Sequence, residues 1–495
     1  MKIKELLYRM INTGNTRLKA IQKRNTEDNN YANTRLYPLL YQEDLWVSAY
    51  EKLKSNKGAL TPGQGRKTID GFGSQDIDRL IQKFRDQSWR PKPAMIPKLG
   101  KTTKRPLGVQ GPVEKLVQEI VRQILEAIYE PSFIDQSHGF RPNRGCHTAL
   151  AQVEKKFQAM RWVVEGGITG CYDNIPHHKL IAILRKRIRD ERFLNLIQKL
   201  LRAGYFLEGT TDLKRPQGSI VSPLLANIYL NEMDQWVEQR KKNWVTEGKN
   251  IRTQEAKRVE YVRYADDWIL GISGTKSLAY TIKDAIGEFL KTELQLELSE
   301  PKTYITDIST KPVRFLEYDI RVKPSKKIKQ IKSKAGSKFT KQTTGFRVQM
   351  MAPMVYLVNR LSQRGFCDKN GFPVAQLKFT AQDDFEIVEA YKWILIGINN
   401  YYSGATYQQP LSRIDYILRW SCAKTLAHKH KSTCSKIFKK HGKNLKVSKL
   451  IETQKGGHNS VWVDLPRRKY KNKLAKWQTS SVGKDPFDIL PRTQN

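Results

Sequence analysis

Carboxylates are in short supply in this chain. It has 48 Asp and Glu against 88 Lys and Arg over 495 residues, a formal net charge of +40. That deficit excludes a surface made soluble by balanced charge. A field of this size repels itself and attracts polyanions. Nucleic acid is the expected partner, because counterion release rewards many contacts from Lys and Arg to phosphate. Cysteine is also scarce, with five scattered residues (Cys146, Cys171, Cys367, Cys422 and Cys434). An odd, dispersed set with no secretory signal ahead of it excludes a disulfide framework and points to free thiols in a reducing compartment. No apolar run approaches the roughly 20 residues that a membrane crossing needs. "YKWILIGI" is far too short, so no membrane partner is expected. No internal repeat is found.

Apolar residues are nonetheless plentiful, at 39% with ten tryptophans. That supports folded cores, and the length suits two to four domains. The start, "MKIKELLYRMINTGNTRLKAIQKRN", reads as a basic helix, with a transit peptide as the alternative. "LYPLLYQEDLWVSAYEKLKSNKGA" has helical spacing and breaks at Gly58 and again at "TPGQG". "VEKLVQEIVRQILEAIYEP" predicts an amphipathic helix with Leu116, Ile120, Ile124 and Ile128 on one face and Pro131 ending it. "RWVVEGGITGCY" predicts a buried strand. Helices are expected from near Pro176 and Ser222. Val322 to Gly345 is a charge run with few apolar anchors and predicts a domain boundary and basic linker. Beyond it the pattern turns helical and aromatic. The tail, "LPRRKYKNKLAKWQ", interleaves Tyr470 and Trp477 with cations, which suits phosphate contacts and stacking on unpaired bases or, as simply, a frayed basic end.

The chemistry concentrates in "YVRYADDWILGI", read as a hairpin with Asp266 and Asp267 near its turn. Two adjacent carboxylates in an apolar run repel each other unless a cation or strong donors hold them. A second cluster, His428, His430, Cys434 and His441, matches no closed zinc spacing and lies among lysines. It reads as a basic, RNA-facing helix. Cys171 reads as a buried thiol, and His177 and His178 as the start of a helix.

A Tyr-Ala-Asp-Asp hairpin upstream of a helical region, in so basic a chain, resembles a reverse transcriptase, and more closely the proteins encoded inside group II introns. Other blocks follow in the family's order: "TPGQGRKTIDGF", "KRPLGVQGPVEKLVQ", "SHGFRPNRGCHTAL", "RPQGSIVSPLLANIYL", "ELSEPKT", "RFLEYDI", and then "APMVYLVNRLSQRGFC", "INNYYSGA" and "YILRWSCAKTLAHKHK". The resemblance implies an α+β right-hand polymerase followed by an all-helical domain. Its parts would be an N-terminal extension and fingers over 1–160, a palm with an antiparallel sheet over 161–322, a basic linker over 323–345, a helical thumb or maturase domain over 346–450 and a basic tail over 451–495. It implies Mg²⁺ as cofactor, with Asp266 and Asp267 as catalytic metal ligands. It places Arg105, Arg141, Arg144, Gln217 and Lys302 near nucleotide and template. RNA contacts are expected from Lys326, Lys327, Lys329, Lys429, Lys431, Arg467, Arg468 and Lys469.

One block departs from the family. Where relatives read Asp-Ile-Lys-Gly-Cys-Phe-Asp-Asn-Ile, this chain has "GITGCYDNI", so Gly167 stands at the leading aspartate and Thr169 at the lysine. A two-ion site needs carboxylates bridging ions roughly 4 Å apart, and the bridging one is missing. Glu165 shares the strand face but lies about 6.6 Å back along it. Glu317 replaces a glycine in "RFLEYDI", and "KRPQGS" (Lys214 to Ser219) replaces Gly-Thr-Pro-Gln-Gly-Gly. Weakened Mg²⁺ binding is therefore expected. The leading reading is a maturase that binds and stabilises group II intron RNA, with an impaired reverse-transcriptase domain. The alternative is an active RNA-directed DNA polymerase of a mobile intron, with a DNA target. No His-Asn-His endonuclease domain is expected. Dimerisation is undecided by the residues. An organellar setting, mitochondrion or plastid, is expected from likeness to organellar members, with a bacterial cytoplasm as the alternative.

Overall fold

The computed structural model describes residues 13–55, 68–96, 109–203, 205–207, 213–214, 219–246, 258–332, 338–452, 458–468 and 477. Arg105, Gln217 and Lys469 lie outside the described residues. The described residues begin with α1 (Thr13–Glu27), α2 (Glu43–Lys54), α3 (Ser74–Arg85) and the short β1 (Ala94–Ile96). The long α4 (Pro112–Tyr129) follows. Leu116, Ile120, Ile124 and Ile128 are all fully buried along one face of it, as the spacing predicts. Proline at its first turn suits a position whose N–H has no helical partner.

After α5 (Cys146–Lys156) comes the central strand β2 (Trp162–Gly167). Helices α6 (His177–Arg187) and α7 (Glu191–Arg202) follow, then β3 (Tyr205–Leu207), β4 (Leu213–Lys214) and α8 (Ser222–Thr246). The predicted hairpin is β5 (Arg258–Tyr264) and β6 (Asp267–Ser273), joined by Ala265 and Asp266. Helix α9 (Lys276–Thr292) then leads to β7 (Tyr304–Asp307). The order β5-β6-β2-β7 makes a four-stranded antiparallel sheet. Both of its faces are covered, and strand alternation divides its side chains between two cores. Val164, Val259, Tyr261, Trp268 and Leu270 join the N-terminal helices. Val163, Val262, Tyr264 and Ile269 join α5 and the C-terminal helices. This is an α+β protein.

The residues expected as a basic linker, 323–345, are strand-paired in their described part. Strand β8 (Val313–Phe315) turns into β9 (Tyr318–Lys332), which pairs in continuous antiparallel register with β10 (Lys338–Met351). Ile320, Val322, Val348 and Met350 are buried and anchor the base of this ribbon. Backbone pairing then carries it on through the lysine-rich stretch that composition alone reads as solvated. Beyond it come α10 (Met354–Gln363), α11 (Asp384–Tyr401), α12 (Ser412–Lys429) and α13 (Cys434–His441). A small hairpin, β11 (Val447–Glu452) with β12 (His458–Val463), stands where the tail was expected to begin. Among the described residues no helix is long and apolar enough to cross a membrane.

Trp477 is also used differently from the expectation that it stacks on bases. Its indole N–H donates to Glu154 at 2.7 Å, and its ring lies 5.4 Å from His147 and 5.7 Å from Tyr318. A side chain at Gly404 would overlap that ring. The tryptophan therefore clamps α5 to the end of α11. Trp477→Ala should cost about 2–3 kcal/mol in denaturant unfolding, with Trp477→Phe recovering part. Unchanged stability together with weaker RNA binding would return the residue to a base-stacking role.

Candidate active site and nucleic-acid interface

The Asp266–Asp267 turn is held from below by a buried ion pair. Arg263 and Asp234 both have fully buried side chains. Arg263 donates from Nε to Asp234 Oδ1 at 2.7 Å and from one terminal nitrogen to Oδ2 at 2.6 Å. Its remaining donors reach Asn227 Oδ1 (3.0 Å), the Ala265 carbonyl (2.8 Å) and Ser137 Oγ (2.9 Å). Tyr261 donates its hydroxyl to Asp234 at 2.8 Å. A charge removed from water is tolerated only when its hydrogen-bonding capacity is met, and here the guanidinium is fully engaged. The Ala265 carbonyl contact also pins a residue with φ of 55°, the left-handed conformation that a two-residue hairpin turn demands.

The loop "SHGFRPNRG" closes over this turn. Ser137 bridges to Arg263 in parallel, His138 N–H donates to the Arg263 carbonyl (2.9 Å), and Asn227 donates to the Gly139 carbonyl (2.6 Å). A side chain at Gly139 would overlap the Ala265 backbone nitrogen, so the close approach requires glycine. Arg141, expected at the nucleotide, is buried inside this loop. It pairs with Glu130 (2.9 Å) and donates to the Ile134 and Ser137 carbonyls (2.6 and 2.7 Å). In this arrangement it holds the loop's shape. Arg144 is tied to Asp135 at 2.8 Å.

Strand register places Gly167 directly opposite Asp267. A Cβ added at Gly167 would lie 3.8 Å from Asp267 Oδ1, so an aspartate there would stand beside the hairpin carboxylates. The same point lies 3.0 Å from Lys302 Cδ and 3.5 Å from its Cβ. The stem of Lys302, expected at the template, thus covers the place of the missing side chain. Glu165 does not fill it. Its carboxyl accepts from the Thr306 hydroxyl and the Arg314 backbone N–H, which draws it toward β7, the neighbour of β2 on the side away from Asp267. Burial pushes its pKa up to about 7, against those two donors and the Arg314 charge. Among the described residues no three His, Cys, Asp or Glu side chains gather as a metal site. The donor set, two turn carboxylates facing a glycine, does not fit a pair of bridged Mg²⁺ ions. Cys171 is 3% exposed and its thiol is pushed up to about 12 by burial, with Asp266 adding to the shift. It is a protonated core thiol, as its setting in the sequence suggests.

Residues 96–320 match the family model of the reverse transcriptase (RNA-dependent DNA polymerase), and residues 346–480 match that of the type II intron maturase. Over 479 residues the chain is 38% identical to the group II intron-encoded protein LtrA of Lactococcus lactis subsp. cremoris, covering 85% of this chain and 79% of that relative. This chain belongs to the group II intron-encoded reverse transcriptase and maturase family. It is also similar to the putative COX1/OXI3 intron 1 protein of Saccharomyces cerevisiae, at 32% identity over 514 residues, 92% of this chain and 61% of the relative. Maturase K of Ceratozamia mexicana is 25% identical over 464 residues, 86% of this chain and 91% of the relative.

Family membership sharpens one departure. Leu316 and Glu317 form the β8–β9 turn with φ of 46° and 57°, both left-handed. The glycine that the family resemblance implies at Glu317 would suit that conformation, and this chain holds it through Tyr401 and Tyr402. Their hydroxyls donate to the Leu316 and Glu317 carbonyls at 2.9 and 3.1 Å. The described basic residues expected to contact RNA lie on several different elements. Lys326, Lys327 and Lys329 fall on β9. Lys429 is spent on Asp384 at 2.8 Å, and His430 shares that carboxylate at 2.7 Å. Lys431, Arg467 and Arg468 are exposed. Sequence reasoning missed Arg263 and Asp234. An arginine inside a strand otherwise buried was the available signal, since such a charge requires a partner.

Asp234→Ala leaves the Arg263 charge buried and unpaired and should cost about 3–5 kcal/mol of stability, read as a lowered denaturation midpoint. Glu165 titrates near pH 7 when folded and near 4.5 when unfolded. The folded state therefore holds a proton that the unfolded state has released, and stability falls as pH rises through that window. Relative to the parent, Glu165→Gln should gain up to about 3 kcal/mol between pH 4.5 and 7 and stay level above it. A difference independent of pH would contradict the raised value.

Proposed function

We propose that this protein is a maturase that binds a group II intron RNA and stabilises its folded, splicing-competent form, while its own polymerase site is impaired. The RNA carries out the transesterification, and the protein supplies cationic and aromatic surface. The carrying observation is Gly167 opposite Asp267 with the Lys302 stem over the vacated place. Reverse transcriptases work through Mg²⁺, and this donor set lacks the ligand that ties two ions together. RNA stabilisation makes no use of that ligand. It draws on the +40 charge, which the chain keeps. The match to the type II intron maturase model supports the same reading.

In this reading, residues up to about 160 are fingers, the four-stranded sheet with α6 and α8 is the palm, and the region after the β9–β10 ribbon is the thumb. Arg141 and Arg144 shape the loop against which template would lie, and Lys302 approaches from the strand side. Intron RNA is the partner. The setting is an organelle, with a bacterial cytoplasm as the alternative, since relatives come from both mitochondria and bacteria.

The test pairs two assays on the purified chain and on Gly167→Asp: primer extension on an RNA template, and splicing of the intron that encodes it at low Mg²⁺. The parent should extend primers about a hundredfold more slowly than Gly167→Asp while both assist splicing equally. Equal extension rates would establish the active-polymerase alternative. Failure to assist splicing, with no preference for intron RNA, would remove the maturase reading.

A further inference from the structure

We propose that a cleft between α7, Tyr37 and the Gln87–Trp89 turn takes one unpaired nucleotide of a bound RNA, its base among the amides and aromatic edges and its phosphate on the α7 cations. The proposal rests on the RNA-binding reading above and adds a located subsite, far in sequence from the Asp266–Asp267 turn.

The cleft holds about 230 Å³ and is lined by Tyr37, Gln87 and Trp89 on one side and by Arg192, Asn195, Gln198, Lys199 and Arg202 of α7 on the other. Such a volume suits a single ring system and is far too small for a duplex. Helix α7 buries Phe193, Leu194, Leu196, Ile197 and Leu200, so Arg192, Asn195, Lys199 and Arg202 fall on its exposed stripe. Arg192, Lys199 and Arg202 make no ion pair with any described residue.

Among the described residues no carboxylate lines the cleft, although two stand at the start of α7. Asp190 is turned inward, accepting from the Tyr37 and Phe193 N–H groups at 2.8 and 3.2 Å. Glu191 is held in a two-point pair by Arg185, both contacts at 2.9 Å. Among the described residues these three cations have no carboxylate partner, although Arg192 lies 5.8 Å from the Tyr37 ring centroid, and gathering them costs self-repulsion unless an anion is present.

The aromatic side is pre-set. One face of Trp89 is covered by Phe84, with ring centroids 5.1 Å apart and planes 26° from parallel, and Arg90 fixes the turn by donating to the Gln87 and Trp89 carbonyls. Gln87 itself has φ of 57°. Amides that hydrogen-bond base edges and cations for phosphate are groups by which unstacked RNA bases are held, while Tyr37 and Trp89, each 7% exposed, give the cleft an ordered wall rather than a stacking face. A surface recognising only phosphate needs neither the concavity nor the amides.

The experiment uses the full chain and two RNA hairpins of equal length, one fully paired and one with a single bulged 4-thiouridine, with uridine monophosphate as a third probe. The bulged hairpin should bind about tenfold more tightly and photocrosslink to residues 87–89 or 191–202. The exposed pair Asn195→Ala and Lys199→Ala should erase that preference and leave the paired hairpin within about twofold, with the circular dichroism unchanged. Equal binding of the two hairpins, or crosslinks elsewhere, overturns the subsite while the maturase reading stands. Uridine monophosphate binding as tightly as the bulged hairpin makes it a free-nucleotide site and overturns the proposal. If neither hairpin binds, this inference and the reading beneath it fall together.

Discussion

The buried Arg263–Asp234 pair is the constraint on which the centre of the molecule depends. It ties one strand of the hairpin to α8 through Asp234 and Asn227, and to the "SHGF" loop through Ser137. The same guanidinium holds the carbonyl of Ala265, the strained residue that makes the turn two residues long. Turn length sets register, and a one-residue slip would exchange the faces of every strand residue. The placement of Asp266, the pairing of Asp267 with Gly167 and the division of the sheet between two cores all follow from that register.

Under the proposed maturase reading, this scaffold is intact where the chemistry is incomplete. Two carboxylates stand at a turn that the fold works to position, and the strand opposite presents Gly167. The stem of Lys302 lies across the space beside Gly167. A polymerase centre and an RNA-binding surface answer to different physical demands. The first needs oxygen ligands placed to tenths of an ångström. The second needs many cations, each tolerant of small displacement. A chain can lose one and keep the other.

Much of this was legible in the residues. Period-3.6 spacing located α4, β-branched runs located β2, and the order of motif blocks gave the family. The absent aspartate was visible because Gly170, Cys171, Asp173, Asn174 and Ile175 hold the register around it. What stayed hidden were pairings between distant segments. Nothing near Arg263 names Asp234 as its partner, and nothing near Trp477 names Glu154 and His147. The β9–β10 ribbon was missed for another reason. Its lysines lower the apolar signal that identifies a strand, while backbone hydrogen bonds, which do not depend on side-chain identity, hold it together. Lys302 could be placed near the site from its motif, but not that its stem would cover Gly167.

The ribbon also lies across a seam. The reverse transcriptase match ends at residue 320 and the maturase match begins at 346, so most of this paired structure belongs to neither. A two-stranded arm whose described anchors lie at its root can change in length by matched steps, one residue per strand, without altering either neighbour's core. Its reach is therefore a quantity that evolution can adjust separately from fold and from catalysis, which makes it the natural place for members of one lineage to diverge.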